Sequence, residues 1–200
     1  MMPHTYPMGA GWIEVITGCM FSGKTEELIR RLIRARIAKQ RVVVFKPAKD
    51  VRYAEEEIVT HTNESLPCIP VERAGDILRH VGDAQVVGID EAQFFTADLI
   101  AVANQLADGG RRVVVAGLDQ DYQGTPFEPI PQLLAVAEYI TKNLAVCTVC
   151  GAPADRSQRL VPQEARVLLG ASDFYEARCR QHWDPTRFDA PQESLPLGSG

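Results

Sequence analysis

Residues 18–25 read GCMFSGKT and match the pattern G-x-x-x-x-G-K-[S/T], which binds the phosphates of a nucleoside triphosphate. The two glycines permit backbone conformations in which successive N–H groups point at phosphate oxygens. The lysine supplies a positive charge for the β and γ phosphates, and the threonine hydroxyl is a ligand for Mg²⁺. The sequence therefore predicts phosphate binding by the whole segment, namely Gly18, Cys19, Met20, Phe21, Ser22, Gly23, Lys24 and Thr25.

Two acidic residues, Asp90 and Glu91, directly follow the apolar run VVGI at residues 86–89. An acid at the end of such a strand can hold Mg²⁺ directly or through water, and a second acid can accept a proton. A helix N-terminus is the alternative, because Asp and Glu are common there. Combined with the phosphate segment, the pair favours an enzyme that uses a nucleoside triphosphate.

Four potential metal ligands form two close pairs, Cys147-x-x-Cys150 and Cys179-x-x-His182. Two pairs of soft ligands suit tetrahedral zinc, and four protein ligands leave no position for water, so we expect a structural Zn²⁺ site. Unrelated thiols beside a surface histidine are the alternative. Cys19 and Cys68 have no partner at ligand spacing and are expected to be inert.

Alternating strand and helix patterns must position these groups. The fold class predicted is α/β, a P-loop domain with a mostly parallel sheet covered by helices, plus a small zinc-binding lobe. Residues 46–67 show no period and are predicted to form a long loop. Strands are expected at residues 12–17, 41–45, 86–89, 111–116 and 139–146, and helices at 25–39, 97–107 and 131–137.

Composition limits the functional classes. The 200 residues are 46% hydrophobic and carry a net charge of −5, which disfavours nucleic acid as a partner; the arginine-rich face of residues 30–41 is interpreted as solvated. No apolar run could cross a bilayer, no secretory signal is recognisable, and a cytoplasmic protein is expected.

The predicted organisation is a flexible leader at 1–11, the nucleotide-binding domain at 12–146, the zinc lobe with a substrate-covering loop at 147–186, and a disordered tail at 187–200.

Two other functions share these motifs. A GTPase would need an N-K-x-D stretch for guanine, which the sequence lacks. A zinc-ribbon nucleic-acid-binding ATPase would explain both the phosphate segment and the cysteine pairs, but the acidic balance disfavours it.

Six segments in order resemble thymidine kinases of the cytosolic, zinc-containing type: GCMFSGKTEEL, PAKDVRY, IDEAQFF, GLDQDYQGTPF, CTVCGAPADRSQRL and YEARCRQH. The resemblance implies transfer of the ATP γ-phosphate to the 5′-hydroxyl of thymidine, and of deoxyuridine, with Mg²⁺. It also implies a homotetramer that thymidine triphosphate inhibits.

The resemblance assigns roles by position. Glu91 would be the general base, with Asp90 beside the metal; Asp50, Arg52 and Arg159 would lie near the transferred phosphate. A loop between the cysteine pairs would enclose the base. Ser157 stands where threonine is frequent, which leaves open the preference for thymidine over deoxyuridine. The predicted substrate-binding residues are Met20, Phe94, Leu118, Tyr122, Phe127, Ser157, Leu168 and Tyr175.

Overall fold

A computed structural model describes residues 9–48, 57–59, 65–162 and 174–188. In these residues the strands are β1 (Trp12–Gly18), β2 (Val42–Pro47), β3 (Glu57–Val59), β4 (Ser65–Pro67), β5 (Ile69–Val71), β6 (Val86–Ile89), β7 (Arg112–Leu118), β8 (Tyr139–Lys142), β9 (Ala145–Val146), β10 (Pro153–Ala154), β11 (Arg156–Arg159) and β12 (Tyr175–Arg178). The helices are α1 (Lys24–Ile37), α2 (Ala74–His80), α3 (Asp98–Asp108) and α4 (Ile130–Val136).

Six strands form one sheet in the order β5-β2-β6-β7-β1-β8. All five pairings between neighbours are parallel, so the predicted α/β class is confirmed. In a parallel sheet the carboxyl ends of all strands lie at one edge, where ligands of such folds bind. The phosphate segment follows β1 and the Asp90–Glu91 pair follows β6, so the topology places both at that edge.

The sheet is buried on both faces. In β7, Val113 and Val115 face one apolar cluster, which includes residues of α2, α3 and α4. Val114 and Ala116 face the opposite cluster, which includes residues of α1. Side chains alternate between the faces of a strand, and burial of both faces explains the continuous apolar runs of β6 and β7.

Helix α1 buries one stripe formed by Leu28, Ile29, Leu32 and Ala35. These residues recur at three- and four-residue steps, the spacing of one helical face. The helix lies very close to the sheet at Gly88 of β6: a Cβ there would be 2.6 Å from Cδ1 of Leu32. The missing side chain therefore allows α1 to pack against the sheet at this distance.

A buried carboxylate on β1 connects α1 to the sheet through hydrogen bonds. Glu14 of β1 accepts hydrogen bonds from Arg31 at 2.8 Å and from Arg112 of β7 at 2.6 Å. Burial raises the pKa of Glu14, but these arginines and Trp12 outweigh it and hold the pKa below its ordinary value. Arg31 thus departs from the predicted solvated arginine face, because its partner lies inside the fold.

The remaining strands form short antiparallel pairs. β9 pairs with β10 and β11 pairs with β12, around a small cluster of alanine and cysteine side chains. The predicted single strand at 139–146 is wrong: Asn143 and Leu144 separate β8 from β9. The backbone N–H of Asn143 still donates to the carbonyl of Thr17. Residues 46–67 are not wholly loop either, since β3 and β4 pair within them.

In the described part of the chain, no helix is both long enough and apolar enough to cross a membrane.

Candidate functional site

The phosphate segment turns sharply between β1 and α1. Gly18 has a φ of +142°, and a Cβ there would lie 2.3 Å from the carbonyl oxygen of Asn143, so a side chain is excluded. Gly23 has a φ of +75° and caps α1 at its N-terminus. The Asn143 amide donates to the carbonyl of Gly23 at 3.1 Å, and the Ser22 hydroxyl donates to that of Cys19 at 2.8 Å. These contacts hold the loop at the positive end of the helix dipole.

Lys24 points into this loop. Its Nζ donates to the carbonyl oxygen of Cys19 at 2.7 Å. Desolvation lowers the pKa of Lys24, and the negative charges of Glu91 and Asp90 oppose that shift. The amine is therefore held where a phosphate could replace the Cys19 carbonyl as its partner.

Asp90 and Thr25 meet at the base of the loop. The Thr25 hydroxyl donates to Oδ2 of Asp90 at 3.1 Å. Burial and the neighbouring Glu91 charge raise the pKa of Asp90 to about 7. A buried carboxylate beside a hydroxyl is an oxygen donor set that a hard cation would stabilise, so these residues fit Mg²⁺.

Glu91 lies at the mouth of the site. Its backbone is left-handed with a φ of +52°, a conformation that costs a non-glycine residue about 1–3 kcal/mol and recurs at functional sites. Its side chain is exposed, whereas Asp90 before it and Ala92 after it are buried. Oε2 of Glu91 accepts a hydrogen bond of 2.5 Å from the amide of Gln93.

Several predicted substrate-binding residues gather beyond the ends of β6 and β7. The rings of Phe94 and Phe127 meet edge to face, with centroids 6.3 Å apart. Leu118 ends β7, and its backbone N–H donates to the Gln93 amide oxygen at 3.1 Å. The paired rings of Phe94 and Phe127 offer an aromatic surface on which a flat ring could pack.

A second group of predicted site residues surrounds a buried cation. The guanidinium of Arg159 lies 3.6 Å from the ring centroid of Tyr122 and 5.2 Å from that of Tyr175. It also donates to the Tyr175 hydroxyl at 2.5 Å. Arg159 is only 1% exposed, and its action on phosphate remains a prediction.

Met20 and Ser157 join the phosphate loop to β11. The Met20 backbone N–H donates to the Ser157 hydroxyl at 3.1 Å, and Ser157 is 5% exposed. The Cys19 thiol donates to the carbonyl of Ala154 at 3.4 Å, and burial raises the pKa of this thiol. The phosphate loop therefore contacts β10 and β11, which belong to the same group of short strands as the cysteine pairs.

The four predicted zinc ligands come together. The ligand atoms of Cys147, Cys150, Cys179 and His182 all lie within 4.8 Å of one another. Sγ of Cys150 is 3.8 Å from Sγ of Cys179, which matches the edge of about 3.8 Å in a tetrahedron with Zn–S bonds of about 2.3 Å. Burial raises the pKa of Cys147, but backbone hydrogen bonds outweigh it and lower the pKa to about 6, which favours the ligating thiolate.

Three predicted site residues, Asp50, Arg52 and Leu168, lie outside the described residues, as do most of the predicted leader and tail. Three further residues hold the site although their roles were not predicted. Asn143 supports the phosphate loop, Gln93 bonds Glu91, and the Trp183 indole N–H donates to the carbonyl of Tyr122 at 3.2 Å. Gln93 stands inside the motif IDEAQFF, which was the available signal; Asn143 and Trp183 had none.

Comparison with known proteins gives a consistent picture. The family model described as "Thymidine kinase" matches residues 11–183. A thymidine kinase of Rhodothermus sp. (strain ITI 518) is 61% identical over 177 residues, which cover 88% of this chain and 83% of the relative. A thymidine kinase of Bdellovibrio bacteriovorus (strain ATCC 15356 / DSM 50701 / NCIMB 9529 / HD100) is 52% identical over 192 residues, which cover 96% of this chain and 94% of the relative.

Proposed function

The chain belongs to the thymidine kinase family, and on that premise we propose that it transfers the γ-phosphate of ATP to the 5′-hydroxyl of thymidine with Glu91 as the general base. The product is thymidine monophosphate, and the reaction serves nucleotide salvage. The observation that carries the residue assignment is the position of Glu91. It is an exposed carboxylate at the end of β6, and its charge acts on Lys24 of the phosphate loop.

The phosphate loop positions the donor. Backbone N–H groups between Gly18 and Thr25 bind the triphosphate oxygens, and Lys24 leaves the Cys19 carbonyl to bind the β and γ phosphates. Thr25 and Asp90 would hold Mg²⁺, which neutralises the phosphate charge when it is bound. Arg52 and Arg159 are proposed to add positive charge near the transferred phosphate, and Asp50 is proposed to lie near it.

Glu91 activates the acceptor. Its carboxylate takes the proton of the thymidine 5′-hydroxyl while that oxygen forms a bond to the γ-phosphorus. The bond between the γ-phosphorus and the β–γ bridging oxygen breaks, and ADP leaves with its electron pair. Exposure of Glu91 suits this role because the carboxylate must reach a bound substrate.

The nucleoside is proposed to bind between two aromatic walls. We assign Phe94, Leu118 and Phe127 to one wall, and Tyr122 and Tyr175, whose rings both contact Arg159, to the other. Met20, Ser157 and Leu168 complete the proposed pocket. Deoxyuridine differs from thymidine by one methyl group, so it is proposed as a second substrate.

The cysteine–histidine cluster is proposed to hold structural Zn²⁺. Four protein ligands would fill a tetrahedral ion and leave no position for a reacting water. The bound ion would fix β9–β12, whose side chains contact the phosphate loop.

Assembly and regulation are further parts of the proposal. β8 is the last strand of the sheet, and Ile140, Leu144 and Val146 near it are exposed, which suits a homotetramer that covers them. Thymidine triphosphate combines the proposed nucleoside with three phosphates, so it could occupy both halves of the site and act as a feedback inhibitor.

The test is phosphate transfer from labelled ATP to a panel of nucleosides with Mg²⁺. We expect label on thymidine and deoxyuridine. Glu91→Gln should bind ATP normally but lower kcat by about 10²–10⁴-fold, the usual range for general-base catalysis. Glu138→Gln is the control, because Glu138 accepts a bond from Ile13 at the opposite edge of the sheet. Wild-type kcat in Glu91→Gln would exclude the base role.

A further inference from the structure

We propose that Gln93 is a positioning residue that aims the Glu91 carboxylate at the acceptor hydroxyl, an inference that rests on the proposed role of Glu91. The Gln93 amide nitrogen donates to Oε2 of Glu91 at 2.5 Å. Only Oε2 takes part in this bond, so Oε1 can receive a proton. The bond therefore orients the carboxylate without occupying the atom that would act as the base.

The other end of the Gln93 amide is fixed to the sheet. Its oxygen accepts the backbone N–H of Leu118 at 3.1 Å, at the carboxyl end of β7. This bond leaves the nitrogen facing Glu91 and so determines which way the amide is turned. Gln93 thus spans the end of β6 and the end of β7, the two strands whose ends flank the proposed nucleoside pocket.

Packing prevents Gln93 from turning away. The side chain is 4% exposed and lies against Gly117 of β7. A Cβ at Gly117 would be 3.1 Å from the Gln93 amide oxygen and 2.7 Å from Cδ1 of Ile130, so this glycine makes room for the amide. The Gly117 carbonyl is in turn fixed by the Thr17 hydroxyl of β1, which donates to it at 3.0 Å.

Glu91 needs such a support. Its side chain is exposed, so packing does not restrict it to one rotamer. Its backbone adopts a left-handed conformation. The backbone N–H of Glu91 donates to Oδ1 of Asp90 at 2.9 Å, which fixes the main chain but not the carboxylate. A buried amide donor therefore supplies the orientation that a general base requires.

The experiment is a double-mutant cycle on kcat with Glu91→Gln and Gln93→Leu, in the full chain with ATP, Mg²⁺ and thymidine. Gln93→Leu removes both hydrogen bonds and keeps the size of the side chain. It should lower kcat by about 10–100-fold, the range found when a residue that orients a metal ligand is lost, and Gln93 would orient the base in the same way. The KM for ATP should stay nearly unchanged.

The cycle separates positioning from support of the fold. If Gln93 acts through Glu91, Gln93→Leu should change kcat by less than about threefold when Glu91 is already glutamine. Equal losses in both backgrounds would overturn the proposal, because they would show that Gln93 supports the site independently of Glu91.

Gln93→Glu provides a second reading that does not depend on how well leucine is tolerated. The carboxylate of the new side chain can still accept the Leu118 N–H. It cannot donate to Glu91, because a carboxylate replaces the amide nitrogen that made this bond. We expect kcat to fall at least as far as in Gln93→Leu, with ATP affinity retained as evidence of folding. Wild-type kcat would overturn the proposal, because the Leu118 contact alone would then be sufficient.

Failure of this inference is distinguishable from failure of the proposed base. If Glu91→Gln loses activity but both Gln93 variants retain it, Glu91 is the base and Gln93 does not position it. If Glu91→Gln is fully active, the base assignment itself is wrong, and Gln93 has no base to position.

Discussion

The phosphate edge of the parallel sheet and the cysteine–histidine region are built in opposite ways. At the phosphate edge, strands β1, β6 and β7 have four to seven residues, two apolar clusters fix the backbone, and the functional groups lie where the strands end. In the cysteine–histidine region, strands β9–β12 have two to four residues, and their core consists of alanine and cysteine side chains.

The difference lies in what maintains each site. Burial of large aliphatic side chains stabilises the phosphate edge, so it should keep its shape without a ligand. The second region buries little apolar surface, so bonds between a metal and the side chains must replace packing. The two regions are nevertheless in contact, because Cys19 packs among the alanines and cysteines of the second region.

Loss of the phosphate-loop charge gives the largest expected effect. Lys24→Met should lower kcat/KM by about 10²–10³-fold, or about 3–4 kcal/mol, the usual value of one preorganised charge partner in a transition state. Thermal unfolding and bound zinc should be unchanged, since packing maintains this edge. Lys39→Met, beyond the far end of α1, is the control. Comparable losses in both variants would contradict the assignment.

Loss of a zinc ligand tests the other region. Cys179→Ser should weaken zinc binding by about 3 kcal/mol, one ligand's share of the 10–16 kcal/mol typical of structural zinc sites. Metal content after dialysis and the rate of proteolysis within residues 145–182 measure the effect. Cys68→Ser is the matched control, because Cys68 is a buried thiol outside the cluster. Full zinc content in Cys179→Ser would show that the four ligands do not form the site.

Substitution of the buried Asp90 measures how much its charge lowers the stability of the phosphate edge. Its pKa is raised from 3.8 to about 7, so the folded state binds a proton that the unfolded state lacks, and stability falls as the pH rises from about 4 to about 7. Asp90→Asn should therefore raise Tm by a few degrees at pH 8 and by less at pH 5, in EDTA without nucleotide. A larger gain at pH 5 would contradict this sign.

The contact between the two regions gives the smallest effect. Ser157→Thr keeps the hydroxyl that accepts the Met20 N–H and adds a methyl group to the proposed pocket. It should raise the preference for thymidine over deoxyuridine by about fourfold, from about 0.8 kcal/mol per buried methylene. Ser157→Ala should instead raise KM for both nucleosides alike. An unchanged ratio of kcat/KM in Ser157→Thr would place Ser157 away from the thymine methyl.

Much of the phosphate edge could be predicted from the sequence because its signals are local. The pattern of residues 18–25, the buried run before Asp90 and the period of α1 each depend on neighbouring residues. The cysteine pairs were equally local, and they do come together. The ends of β1 and β6 then place the phosphate loop and Glu91 at one edge, as parallel topology requires.

Other features could not be predicted because they depend on distant contacts. The strand at residues 139–146 divides into β8 and β9, each with a different partner strand, and the half-buried Arg31 of α1 bonds Glu14 of β1, 17 residues away. The short helix α2 and strand β5 lacked a period long enough to recognise. The bond from the Leu118 backbone N–H to the Gln93 amide oxygen joins positions 25 residues apart, which no local pattern indicates.

The close approach of α1 to β6 has an evolutionary consequence. The side chains of Leu32 and Val44 fill the space next to Gly88, and Val44 Cγ1 would be only 3.4 Å from a Cβ added at Gly88. A larger residue at position 88 would displace the helix whose first residues are Lys24 and Thr25. Positions 32, 44 and 88 should therefore change together among descendants of this sequence, with any gain in volume at one offset by a loss at another.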